Sequence, residues 1–240
     1  TASGTSSFTT STANDDITLD QISSFTGAVS LATNGATGNI SLTNAAIALD
    51  LGTVTTTLGG TLTIETNAGS ITDSGVITAS GTSSFTTSTA NDDITLNSTN
   101  VMTGAVSATT TGLTGDVTLD NGTTALNLGT VSVGGNLAVT AGEAITDSGV
   151  ITVGGTSGFT TDVNDKAITL DSSNALTGAI TFTTQTAGAN SAHITLNNGS
   201  TTISLAAFTT EGNLTLTTTA AIALAGHTVN GNLSVTSSNA

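Results

Sequence analysis

Residues 1–19, TASGTSSFTTSTANDDITL, reappear unchanged at 78–96, and ITDSGVIT at 71–78 returns at 145–152, followed by VGGTSGFTT. A chain that copies itself at a long fixed interval is a stack, because each unit leaves an apolar face that only a neighbouring unit can cover. Equivalent aliphatics mark the interval: Ile17, Ile94 and Ile168 form one series and Leu62, Leu137 and Leu214 another. Each series steps by about 75 residues, long enough to hold several stacked strands per copy. The chain therefore divides into large repeats 1–77, 78–151 and 152–240, read together as one solenoid over 1–240.

Inside each repeat the local signal is alternation. Asp16-Ile17-Thr18-Leu19-Asp20 puts two aliphatics on one side of an extended chain and polar residues on the other, as a half-buried strand requires. The pattern recurs at 39–43, 116–120, 167–171 and 193–197. Thr fills the outward positions, being β-branched and polar at once. A second set of strands begins with Gly, at Gly60, Gly135, Gly212 and Gly231, three of them followed by Asn, and reads as tight corners feeding short strands. No 3.6-residue period is sustained over three turns, so no helix is expected.

The last two Gly-Asn-Leu starts, at Leu214 and Leu233, enclose Ile222 and Val229. Three short strands per turn of about 19 residues is the pattern of a triangular parallel β-helix, with each turn one short structural repeat. At about 4.8 Å per turn, roughly 10–13 turns make a rod of about 50–60 Å. If turns divide the large repeat evenly, Phe8, Phe85 and Phe159 stack down one side. Phe8 and Phe85 would then be about 19 Å apart for four turns per repeat, or about 14 Å for three. An antiparallel sandwich shares the turn spacing but does not need near-identical copies in fixed phase, and propeller blades carry aromatic signatures that are missing here.

Gly135-Asn136-Leu137-Ala138-Val139-Thr140-Ala141-Gly142, Gly212-Asn213-Leu214-Thr215-Leu216-Thr217 and Gly231-Asn232-Leu233-Ser234-Val235-Thr236, together with Ile71-Thr72-Asp73-Ser74-Gly75-Val76-Ile77, resemble the shaft repeats of large bacterial surface adhesins. The resemblance is to filamentous-haemagglutinin-like exoproteins of two-partner secretion and related β-strand-repeat proteins. It implies a right-handed parallel β-helix in a long fibre that is secreted and displayed at the cell surface, with host-cell or matrix surfaces as targets. The Asn-Pro-rich secretion domain of that family has no counterpart in a chain without proline.

Composition narrows the partners. Sixteen acids stand against one base, Lys166, for a net charge of −15. Binding nucleic acid or an anionic membrane needs clustered Lys and Arg, so neither is expected, and no run of about 18 apolar residues exists to insert in a bilayer. Cysteine is absent, which fits an extracellular protein that relies on neither disulfides nor thiols.

The candidate sites each have a structural reading beside the functional one. Asn14-Asp15-Asp16 and Asn91-Asp92-Asp93 carry oxygens of the kind calcium prefers, but the same residues make Asx turns that bond the local backbone, and the turn is the favoured reading. The third copy, read as Asn164-Asp165-Lys166, replaces an acid with the only base. Asp73-Ser74-Gly75 and Asp147-Ser148-Gly149 suggest a nucleophile or acid, yet His193 and His227 do not repeat with them, and a hydroxyl nucleophile needs a base within reach.

No catalytic residue, cofactor or metal is therefore assigned. The expected function is a non-catalytic structural shaft. The alternatives are a Thr-array surface binder of the ice-binding kind, from strands such as Thr61-Leu62-Thr63, Thr181-Phe182-Thr183 and Thr215-Leu216-Thr217, and a β-helix enzyme acting on polysaccharide. The latter needs paired carboxylates and sugar-stacking aromatics, and the chain has neither Trp nor Tyr. Neither end shows a polar cap, so continuation in a longer chain, or end-to-end self-association, is expected.

Overall fold

The computed structural model describes residues 1–45, 47–188, 191–224 and 226–238, leaving out the side chain of Ile22. Asn239 and Ala240, at the end of the third repeat, lie outside the described residues. Every strand pairing in it is parallel, and no helix occurs among the described residues. The chain is a β-solenoid of about ten turns: one sheet path runs through eleven strands in sequence, from Ile17–Ser23 to Leu233–Ser237. The alternating segments read from the sequence are strands, with aliphatics inward and Thr or Ser outward. Ile94 and Leu96 are fully buried and Thr95 between them is not.

Most turns are longer than the spacing of Leu214 and Leu233 predicts. Ladder steps are most often 22 or 23, as from Ile17 to Ile40 and from Ile40 to Leu62. The step from Leu214 to Leu233 is the shortest kind in the chain.

Equivalent residues therefore do not fall on one line. Phe8 shares a ladder with Leu31, Val54 and Ile77. Phe85 belongs to a different one, with Leu19, Leu42, Ile64, Ala108 and Val131. Phe159 stacks on Val139 and under Phe182. The first repeat passes ten sides, marked by Phe8, Leu19, Phe25, Leu31, Leu42, Leu51, Val54, Ile64, Ile71 and Ile77, before Phe85 starts the series again. At three sides per turn, ten sides are three and a third turns, so each copy begins one side further round.

A three-sided prism can absorb this only by ending one side and opening another within each repeat. The opening starts at a bulge. Val29 and Leu31 have one residue between them, but their partners Leu51 and Val54 have two, Gly52 and Thr53. A Cβ at Gly52 would stand 2.5 Å from Ser30 Oγ, and the equivalent Gly129 meets Ser107 Oγ in the same way. One turn on, the break has widened to Ser74-Gly75-Val76, and a single strand has become two, Ile71–Asp73 and Ile77–Ala79. Leu126–Val133 divides likewise into Ile145–Asp147 and Ile151–Val153.

The new corner is held by a buried carboxylate. Asp73 accepts the N–H groups of Asn97 (2.9 Å) and Ser98 (3.3 Å) and the amide of Asn100 (2.7 Å), whose own oxygen accepts the Ile77 N–H (2.7 Å). Asp147, Asp171, Ser172, Asn174 and Ile151 repeat the arrangement. The side ends on a second asparagine. Asn121 accepts the Met102 N–H (2.8 Å) and returns its amide to Met102 O (3.0 Å) and Ala125 O (2.7 Å). Its carboxamide thus takes the place of a whole strand of the next turn. Asn44 ends the Phe25 side and Asn198 the Leu176 side by the same bonds. All three are fully buried.

Two measurements check this architecture. Asn121→Leu keeps the branching and heavy-atom count but leaves buried donors and acceptors unpaired, at about 1–3 kcal/mol each. It should lower the denaturation midpoint strongly, whereas Asn97→Leu, at an exposed side chain, should stay within about 0.5 kcal/mol. Equal effects would remove the capping role. Ile94→Asp should unfold the chain far more readily than Thr95→Asp, since a buried unpaired charge costs several kcal/mol. Indistinguishable melting of the two would contradict the inside-outside assignment.

Candidate functional surface

The outer corners are built from Asp, Asn and Thr side chains that bond from one turn to the next. Asp16 Oδ1 accepts the Asn39 N–H (2.7 Å), and Asn39 Oδ1 accepts the Thr61 N–H (2.9 Å). Asp93, Asp116, Asn136 and Thr156 form a longer run of the same kind. His193 enters such a run through Nδ1, which accepts the Asn213 N–H (2.9 Å), and Asn213 in turn accepts from Asn232. An acceptor at this position accounts for the interchange of Asp, Asn and His just before these strands, although Ala167, before Ile168, supplies none.

The expected Asx turns, with side chains bonded to the local backbone, are replaced by bonds to the next turn of the solenoid. Asn14 and Asn91 adopt φ of 68°, and Asn14 Oδ1 accepts from Ala36 (2.7 Å) and Thr37 (3.1 Å), as Asn91 Oδ1 does from Leu113 and Thr114. Asp92 Oδ2 accepts the Gly69 N–H (2.7 Å). In the third copy the residue with the left-handed backbone is Asp165, φ 66°. The true counterpart of Asn91 is thus Asp165 rather than Asn164, and Lys166, paired with Glu143, stands in the place of Asp92. The Gly starts also work differently from the sequence reading. Gly60 and Gly135 are not left-handed; a Cβ at Gly60 would lie 2.1 Å from Gly38 O, and one at Gly135 2.2 Å from Asp116 Oδ1.

Ser74 Oγ donates to Asp50 Oδ2 (2.9 Å). At the position equivalent to Asp50 the second repeat has Asn127, so this pair does not recur. His193 is engaged in its corner file, and His227 packs on the Phe208 ring at 5.1 Å. The structure brings neither imidazole to the Asp-Ser-Gly corners. Outward hydroxyls do align: Thr146, Thr169, Thr195, Thr215 and Ser234 form one axial rank. The rank through Thr72, Thr95 and Thr118 is broken by Ala138 and Gly158. The cap asparagines escaped the sequence reading, although Asn44, Asn121 and Asn198 stand at an unvarying interval of 77.

Asp165 is exposed, and its pKa is lowered by the Ser191 hydroxyl (2.5 Å) and then by the Ala187 N–H (3.0 Å). A carboxyl held low when folded stabilises the fold above the ordinary Asp range, and the contribution is lost as pH falls through the lowered value. Ser191→Ala should move the Asp165 titration midpoint up toward the ordinary value in a carboxyl NMR titration. A midpoint that stays put would show that the hydroxyl is not the cause.

Compared with known proteins, the chain matches a family model described as repeats of unknown function (DUF5649) over residues 37–109 and 114–183. No curated protein and no solved structure matches it. The starts of the two matched segments are separated by the same interval that separates Asn44 from Asn121 and Asn121 from Asn198. Together they cover more than half of the chain, which therefore belongs to the DUF5649 repeat family.

Proposed function

We propose that the chain is a non-catalytic shaft segment of a secreted bacterial surface fibre, of the filamentous-haemagglutinin-like kind its Gly-Asn-Leu starts resemble. The observation that carries this reading is the ten-side repeat. Because each copy starts one side further round, the same corner loops point in three directions along the rod, and no face is reserved for one substrate. Stiffness comes from the parallel ladder, and length comes from adding copies, at about 4.8 Å per turn. A rod of this kind holds another part of the fibre away from the cell. Leu233 and Val235 in the last described strand are 52% and 43% exposed, whereas Phe159 in the equivalent strand Ser157–Asn164 is fully buried. A second copy stacked end to end would cover them.

The Thr146 to Ser234 rank favours a second reading, in which this one face binds a regular surface such as ice. Three outcomes separate the readings. A shaft leaves a panel of polysaccharides intact, gives no thermal hysteresis of ice growth, and appears as a straight rod by electron microscopy, with antibody against it labelling intact source cells. Depolymerisation would establish an enzyme, and hysteresis abolished by Thr195→Leu would establish the surface binder.

A further inference from the structure

Asn-Gly is the dipeptide most open to spontaneous deamidation, because glycine has no side chain to hinder approach of its own nitrogen to the preceding carboxamide. The glycine nitrogen bonds to Asn Cγ, the Cγ–Nδ2 bond breaks, and ammonia leaves with the proton from that N–H. Water then opens the imide to Asp or isoAsp. The reaction needs a free carboxamide and an unengaged glycine N–H.

The chain has four such pairs, at 34–35, 121–122, 198–199 and 230–231, and the structure separates them. Asn121 and Asn198 are the buried caps, with both ends of the carboxamide held. The N–H of Gly122 is itself bonded to Asp120 Oδ1 (2.8 Å), and that of Gly199 to Asn197 Oδ1 (3.1 Å). Asn34 is exposed, and its amide reaches only Ser11 O at 3.3 Å. Among the described residues the Gly35 N–H makes no hydrogen bond; the neighbouring Asn14 oxygen is taken by Ala36 and Thr37.

We propose that Asn34-Gly35 is a site of spontaneous deamidation, with water as the only co-reactant, and that burial together with the Asp120 and Asn197 clamps shields the caps at Asn121 and Asn198. Conversion at a cap would put a carboxylate where a buried amide must donate, whereas conversion at Asn34 alters only an outer corner. Asn230 is also exposed, in the last turn, and serves as an internal comparison.

The test incubates the folded chain in warm, mildly alkaline buffer and follows each site by peptide mapping, using the mass gain of about one unit and isoAsp detection. Asn34 should convert at least about tenfold faster than Asn121 and Asn198, and in denaturant the three rates should converge. Caps that keep pace with Asn34 in the folded chain, or an Asn34 that persists where the denatured chain converts, would overturn the proposal. Asp120→Ala should speed conversion at Asn121 alone and Asn197→Ala at Asn198 alone, each in protein shown to be folded by circular dichroism. Rates unchanged in both variants would remove the clamps.

Discussion

The axial hydrogen-bond ladder is the constraint on which everything else depends. In a parallel stack each backbone N–H and C=O finds its partner one turn above or below, and each inward side chain packs on the one stacked with it. A single ladder bond contributes only about 1 kcal/mol net, but a buried group left without its partner costs about 1–3 kcal/mol. A side of the prism therefore cannot simply stop. Whatever follows its last strand has to supply the missing donors and acceptors, and a lone carboxamide with one oxygen and one NH2 group is the smallest unit that can. Asn44, Asn121 and Asn198 do this at the three places where a side ends.

Opening a side presents the opposite difficulty, since extra chain must be inserted without breaking the ladder around it. The Gly52 and Gly129 bulges admit one added residue, and on the following turn Asp73 and Asp147 gather three donors around the widened corner. Both carboxylates are almost fully enclosed and accept N–H groups. Bulge, carboxylate and cap are thus successive stages of one corner, the carboxylate one turn after the bulge and the cap two turns after the carboxylate. Because the next side opens as the previous one closes, the prism stays three-sided along its length.

Functionally, this geometry spreads whatever the corners present around the rod. A repeat that spanned a whole number of turns would align identical loops into one stripe and give the molecule a distinct face. A repeat of three and a third turns distributes them. Hydroxyls nevertheless align from Thr146 to Ser234 and, in an earlier rank, from Thr18 through Ser41, Thr63 and Ser84 to Ser107; both ranks arise from successive turns of different sequence rather than from the large repeat.

Alternation in Asp16–Asp20 and its relatives determined the strands, their inward and outward residues and the stacked architecture, because side-chain polarity at period two is a local property. The near-identical copies determined that the units stack in parallel. Turn length was misread because Leu214 and Leu233 flank the shortest kind of step, and spacing along a chain does not reveal which later residue lies above which. Only the tertiary structure decided that Phe8 and Phe85, identical in local sequence, belong to different ladders, and that Asn121 ends a side while Asn100 supports one. Those roles depend on what the neighbouring turn supplies from a distant part of the sequence, and a local pattern carries no record of it.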